Sequence, residues 1–246
     1  MKHRYLPMTE QDQKEMLETI SISSIDELFS DIPEKVRFKG LYNIKEAKSE
    51  SALAKELTAL AAKNADTVNN VSFLGAGVYN HYKPVIVDHV ISRSEFYTAY
   101  TPYQPEISQG ELQAIFEFQT MIAELTGMDL ANSSMYDGGT ALAEAGMLAA
   151  GHTKRKKILV SGAIHPEYKD VVITYADGQS IEVVIVPTKD GVTHVDSLRG
   201  LVDDQTAAVI VQYPNFFGQI EDLKAIGEIT HEQKGLFIVS ANPLAL

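Results

Sequence analysis

The stretch Lys157-Ile158-Leu159-Val160-Ser161-Gly162-Ala163-Ile164-His165-Pro166-Glu167 decides the fold. A short apolar run at 157–161 reads as a strand, and after a brief turn the segment 167–175 reads as a helix. The same alternation repeats on either side. Helix 140–150 precedes it, and strand 181–186, helix 194–201, strand 207–211, helix 222–233 and strand 236–239 follow. Short aliphatic, β-branched runs separated by helical segments imply a parallel sheet covered on both faces. An α/β domain is therefore expected from Asp137 onward, with 157–161 and 207–211 as parallel strands of one sheet.

Upstream of Gly138 the pattern is helical. Thr9 with Asp12, and Ser24 with Glu27, place an acidic residue in the first turn after a hydroxyl, predicting two short helices before Pro33. The segment 50–64 is amphipathic, with Leu53, Leu57 and Leu60 at helical spacing. A further helix is expected over 84–92. Ser108 and Glu111 form an S-x-x-E capping pattern before Leu112, Ile115, Phe116, Ile122 and Ala123, and Gly127 supplies the stop. Three regions result: a helical N-terminal arm over 1–70, a loop and long helix over 71–136, and an α/β region over 137–246.

Composition narrows the function classes. Twenty-one basic against 33 acidic residues give a net charge of −12, which opposes nucleic-acid binding, because a phosphate-binding surface needs clustered cations. The one basic run, Lys154-Arg155-Lys156-Lys157, reads as a solvated helix end opposing the macrodipole. There are no cysteines, so disulfides, thiolate nucleophiles and Cys-type metal sites are excluded. The seven histidines show no ligand spacing, so no metal site is assigned. Residues 1–12 lack the apolar run of a signal peptide, and nothing approaches the ~20 apolar residues of a membrane span. A cytoplasmic location is expected.

Four short motifs carry chemistry. The first is the loop Tyr100-Thr101-Pro102-Tyr103-Gln104-Pro105-Glu106-Ile107-Ser108-Gln109-Gly110, set between helices. Pro102 and Pro105 fix φ near about −65° and bias Thr101 and Gln104 toward extended backbone, which displays two tyrosines and a glutamine on a stiff frame. The second is Phe73-Leu74-Gly75-Ala76-Gly77-Val78-Tyr79-Asn80, whose G-x-G lacks the third glycine of a dinucleotide fingerprint and reads as a tight turn. The third is Met135-Tyr136-Asp137-Gly138-Gly139-Thr140-Ala141. Free N–H groups at a helix start, glycines and a hydroxyl suit a phosphate cradle, whereas Asp137 suits an ordinary N-cap and would repel a phosphate dianion. The fourth is His165, just beyond strand 157–161 at the carboxyl edge where ligands bind open α/β sheets. The plainer alternative for His165 is a loop histidine with a structural hydrogen bond.

Together these motifs closely resemble the pyridoxal-phosphate glycine decarboxylase (P-protein) family of the glycine cleavage system, in particular the N-terminal subunit of its two-subunit form. The resemblance implies a fold-type-I transferase-like large domain, mainly parallel, preceded by a helical region. It also implies that the chain is an N-terminal fragment with the C-terminal part of the fold missing, in keeping with the apolar run over 241–246 at an uncovered edge strand. Cofactor-carrying relatives bind phosphate at a position matching Gly138, Gly139 and Thr140, and stack an aromatic or histidine at the position of His165. Here these four residues are vestigial, because Val239 and Ser240 stand where the ring-nitrogen carboxylate belongs and the cofactor lysine would lie beyond Leu246. Pyridoxal phosphate is then held by a C-terminal partner subunit, none is covalently bound to this chain, and no catalytic residue is assignable in it alone.

The same resemblance implies glycine as substrate and a lipoyl-carrying H-protein as acceptor of the aminomethyl group. It places Tyr79, Asn80, Tyr100, Thr101, Tyr103, Gln104 and Glu106 at a shared active site. Val78 stands where many relatives carry a first tyrosine. Two other functions stay open from the residues: a purely scaffolding pseudo-enzyme subunit, and an independent pyridoxal-phosphate aminotransferase.

Overall fold

The computed structural model describes residues 5, 7–75, 77, 80–98 and 100–246. The chain divides into two compact units, Met1–Val71 and Ser72–Leu246. The first holds α1 (Glu10–Thr19), a 3-10 turn at Ile25–Phe29 and α2 (Glu50–Ala61). Thr9 and Asp12 form the expected capping box at the start of α1, and the Ser49 side chain accepts a bond from the Ala52 N–H to cap α2. Ser24 makes no cap bond; the neighbouring Ser23 backbone N–H donates to Glu27 instead, and the segment is a single 3-10 turn.

The second unit begins with α3 (Val85–Ile91), α4 (Ser94–Tyr97) and α5 (Gln109–Thr126). Gly127 ends α5 in the left-handed region, φ 69°, where glycine bears no Cβ penalty. The capping box expected at Ser108 is not formed. With φ −96° and ψ 20°, Ser108 is outside the extended backbone an N-cap needs, and its side chain makes no cap bond.

From Asp137 the alternation appears as read: α6 (Gly138–Thr153), β1 (Lys157–Ser161), α7 (Pro166–Gly178), β2 (Glu182–Val186), β3 (Thr188–Lys189), β4 (Val192–Thr193), α8 (Val195–Leu201), β5 (Thr206–Tyr213), α9 (Leu223–Glu232) and β6 (Leu236–Ala241). The main sheet is ordered β2-β1-β5-β6 and wholly parallel, with Ile158 beside Ala208 and Val209 beside Phe237. The β3–β4 hairpin was not legible in sequence, since strands of two residues carry no periodicity.

Side-chain alternation along the strands splits the core in two. Ile158, Val160, Ala208 and Ile210 face α6 and α7, where Leu142, Ala143, Met147, Val172 and Ala176 meet them. Leu159, Val209 and Val211 face α8 and α9 against Leu198, Ile226 and Ile229. Each fully buried Leu, Ile or Val among these contributes roughly 1.5–3 kcal/mol of transfer free energy, and the loops are mounted on this frame.

The basic run at 154–157 is not simply solvated. Arg155 Nη1 donates to the carbonyls of Thr206 (2.9 Å) and Gln233 (2.7 Å), and Lys157 Nζ donates to Leu201 O and Asp203 Oδ2, both at 2.8 Å. These two cations satisfy carbonyls left open around the amino edge of the sheet.

Candidate functional site

Parallel strands deliver their carboxyl ends to one edge, where loops from different strands converge. β1 ends at Ser161, and the turn that follows is tied to the next strand: the His165 backbone N–H donates to Gln212 Oε1 on β5 at 2.8 Å. His165 Nδ1 in turn accepts from the Glu167 N–H at 3.2 Å, capping α7 with Pro166 at its first position. The imidazole is thereby fixed in orientation. Tyr168 lies tilted against it with ring centroids 4.9 Å apart, and Phe216, from the loop after β5, meets it edge-on at 5.0 Å. Gly77 is also close: a Cβ there would stand 3.0 Å from His165 Cδ2, so the glycine, at φ 81°, is what lets this turn approach.

Tyr168 links the histidine to the start of α6. A Cβ on Gly138 would lie 2.5 Å from the Tyr168 hydroxyl, and one on Gly139 would lie 3.3 Å from Tyr168 Cδ1. Gly138, Gly139 and His165, chosen from sequence, are therefore gathered around one tyrosine that sequence reasoning did not select. Thr140 is beside them in a reciprocal capping box. Asp137 Oδ1 accepts from the Thr140 N–H and hydroxyl, both at 2.7 Å, and the Thr140 hydroxyl accepts from the Asp137 N–H at 3.2 Å. The Thr140 backbone bond first, then its hydroxyl, hold the Asp137 carboxyl below the usual carboxylate range.

Behind the edge is a buried polar cluster that sequence reasoning also missed. Glu221 accepts from the Thr193 N–H at 3.0 Å and from Asn215 Nδ2 at 2.8 Å; Asn215 Oδ1 accepts from the N–H groups of Phe217 and Gln219, each at 3.0 Å. Ser161 Oγ and Thr193 Oγ1 share a bond of 2.7 Å. The cluster pins the 214–219 loop, and the Phe216 N–H bond to Ala163 O (2.9 Å) ties that loop to the His165 turn. Pro214-Asn215 followed by Gly218 was a legible loop signal, but its partners lie tens of residues away.

The aromatic loop is open to solvent. Tyr100 is 80% and Tyr103 76% exposed, with their rings tilted at a centroid distance of 6.4 Å. The bonds that order it are local: Tyr103 N–H to Thr101 O at 2.8 Å and Ser108 N–H to Gln104 O at 3.0 Å. Thr101, Gln104, Glu106 and Asn80 are likewise exposed. Tyr79 lies outside the described residues.

A pyridoxal-phosphate site needs an anion cradle, a ring-stacking face and a carboxylate at the ring nitrogen. The described residues do not fit the group. Asp137, a carboxylate at the helix mouth, takes the Thr140 N–H and hydroxyl, the Tyr168 hydroxyl lies against Gly138, the His165 ring is packed by Tyr168, Phe216 and Gly77, and β6 carries half-buried Val239 and Ser240. Among the described residues no group of three His, Cys, Asp or Glu could hold a metal ion, and no helix is long and apolar enough to cross a membrane.

Sheet order, parallel strands and helices on both faces define the large domain of the fold-type-I pyridoxal-phosphate enzymes. A solved sphingosine-1-phosphate lyase of Burkholderia pseudomallei superposes with a TM-score of 0.58 over 85% of this chain and 51% of that chain, at 16% identity, a likeness of fold alone. The model of the glycine cleavage system P-protein family matches residues 3–246, and the chain belongs to that family. It is 83% identical over its whole length to the probable glycine dehydrogenase (decarboxylating) subunit 1 of Lysinibacillus sphaericus, and 75% identical to that of Bacillus pumilus. It spans 55% of each of those relatives. A solved glycine decarboxylase (P-protein) of the glycine cleavage system, in inhibitor-bound form, superposes with a TM-score of 0.84 at 42% identity, covering 98% of this chain and 54% of that one.

Proposed function

We propose that this chain belongs to the non-cofactor-bearing subunit of a two-subunit glycine dehydrogenase (decarboxylating), and that it completes the glycine site of a pyridoxal-phosphate-bearing partner. The observation that carries this reading is the start of α6: the chain keeps the frame of a cofactor domain while the Asp137 carboxylate takes the Thr140 N–H and the Tyr168 hydroxyl lies against Gly138. The subunit-1 names of relatives matched along the whole chain support a second subunit. The partner's cofactor supplies the electron sink that permits loss of CO2 from glycine, and the aminomethyl group passes to the lipoyl arm of an H-protein. The setting is cytoplasmic.

What this chain adds is positioning. Tyr100, Tyr103, Gln104 and Asn80, with Thr101 and Tyr79, offer hydroxyls and amides that orient the glycine carboxylate without adding a charge that opposes its departure. Glu106 either takes a proton there or only caps the helix start next to Ser108. The exposure of the two tyrosine rings on a proline-stiffened loop supports a role at a subunit contact, because a stiff loop loses little entropy when it orders against a partner.

The test is glycine–bicarbonate exchange by the full-length subunit assembled with its cofactor-bearing partner. Tyr100→Phe, Tyr103→Phe and Gln104→Ala each remove one hydrogen bond, a loss of about 1–3 kcal/mol or roughly 5-fold to 150-fold in rate. If all three leave exchange within about twofold of the parent with assembly intact, a change too small for one lost hydrogen bond, the loop only packs and the subunit is a scaffold.

A further inference from the structure

We propose that His165 is a positioning residue: its ring is the seat on which the turn at Gly77 is held, and through that turn it places Asn80 at the glycine site. The inference rests on the reading that Asn80 serves a shared glycine site, and it names a residue that acts on that site through the backbone.

The turn has little else to hold it. Phe73, Leu74 and Tyr82 are exposed, and among the described residues none of 72–83 makes a backbone–backbone hydrogen bond. Gly75, at φ 62°, has open space where a Cβ would stand. Gly77 differs. A Cβ built on it would lie 3.0 Å from His165 Cδ2 and 3.4 Å from Nε2, and its φ of 81° is one that side chains rarely adopt. The close approach is therefore particular to this glycine and to this ring.

The ring is built as a fixed surface. Gln212 Oε1 holds the His165 backbone N–H at 2.8 Å, and Nδ1 accepts from the Glu167 N–H at 3.2 Å. Capping α7 needs that acceptor alone. Tyr168 at 4.9 Å and Phe216 at 5.0 Å fix the plane of the imidazole as well, and the Phe216 N–H is itself tied to Ala163 O at 2.9 Å. The Cδ2–Nε2 edge of a ring held in this way is what meets Gly77. Asn80 follows three residues later, so its Cα stays within about 11 Å of the Gly77 Cα. A turn held at Gly77 limits the space that the Asn80 amide can search, which lowers the entropy lost when it meets glycine.

Capping and seating make opposite demands on position 165, and the full-length subunit tests them. His165→Asn keeps a side-chain acceptor for the Glu167 N–H and removes the ring, whereas His165→Phe keeps a ring and removes the acceptor. On the subunit alone, the amide resonances of Gly77 and Asn80 are expected to move in His165→Asn and to stay near the parent positions in His165→Phe. In the subunit assembled with its cofactor-bearing partner, glycine–bicarbonate exchange should show KM for glycine raised at least about fivefold by His165→Asn, with kcat changed less, and within about twofold of the parent in His165→Phe. Gly77→Ala pushes the turn off the ring and should match His165→Asn; the two together should lose little more than either alone, because they remove one contact. Should His165→Asn fail to fold, judged by circular dichroism, Gly77→Ala carries both readouts. The reverse order, with Phe the more damaging replacement, assigns His165 to the cap and overturns the proposal, as do unmoved resonances in His165→Asn or fully additive losses in the pair. Resonances that move while KM stays at the parent value overturn the link to Asn80. The resonances need neither partner nor glycine, so they decide the seat even if the variants of Tyr100, Tyr103 and Gln104 leave exchange unchanged and the glycine-site reading fails.

Discussion

Asp137 shows how a single side chain settles between two functions. Its sequence context, a carboxylate before Gly-Gly-Thr, suits both a helix cap and the mouth of an anion cradle, and the geometry selects the cap. The hydrogen bonds from Thr140 lower its pKa from the ordinary 3.8. A carboxyl depressed on folding contributes stability that is fully present above its unfolded value and is lost as pH falls through the folded value. Asp137→Ala is therefore expected to lower the thermal midpoint at neutral pH. Its difference from the parent should shrink as pH falls below 3.8. Melting curves across that range check it; a difference independent of pH would mean that the cap acts through backbone geometry and not through the ionised carboxylate.

At the scale of elements, the carboxyl edge is held by one buried carboxylate that joins a hairpin to a loop. Glu221 satisfies the Thr193 N–H at the end of β4 and the Asn215 amide after β5, and Asn215 organises the loop that carries Phe216 to His165. Glu221→Ala leaves the Thr193 N–H without an acceptor and the Asn215 amide with Gly191 O alone (2.8 Å), and is expected to cost about 1–3 kcal/mol, with the Phe216–His165 contact loosened. Glu221→Gln keeps one carbonyl oxygen for both donors and should lose distinctly less. Chemical denaturation ranks the two, and equal losses would show that packing volume, and not hydrogen bonding, holds the loop.

At the scale of the α/β frame, the prediction concerns covalent chemistry. The expectation is that the full-length subunit, incubated alone with pyridoxal phosphate, shows no absorbance band near ~420 nm, as a lysine Schiff base would give. Borohydride followed by peptide mapping should recover no pyridoxyl-lysine. A trapped lysine anywhere in the chain would return the independent-enzyme reading to consideration. Lys169 is a residue to watch in such a map, because its ammonium reaches the carboxyl edge, donating to Gly162 O at 2.9 Å.

The strand–helix alternation from Asp137 onward, the parallel sheet and the capped helices α1 and α2 were all readable along the chain, because each rests on periodicity or on a cap within a few residues. The fold class and the family followed from those and from motifs a reader can see in one stretch. What the sequence left open was which distant side chains surround His165 and the start of α6. Gly138, Gly139 and Thr140 could serve a cradle or, as Asp137 favours, a cap, and His165 a stacking face or a loop turn. Their surroundings are set by Tyr168, on the helix that follows His165, and by Phe216, about fifty positions further along. Ser108 failed as a cap for a related reason, its backbone angles being set by the loop that enters it. Local hydrogen bonding is written in neighbouring residues; which distant side chain fills the space around them is decided only by the tertiary structure, because its partners are brought together across tens of residues.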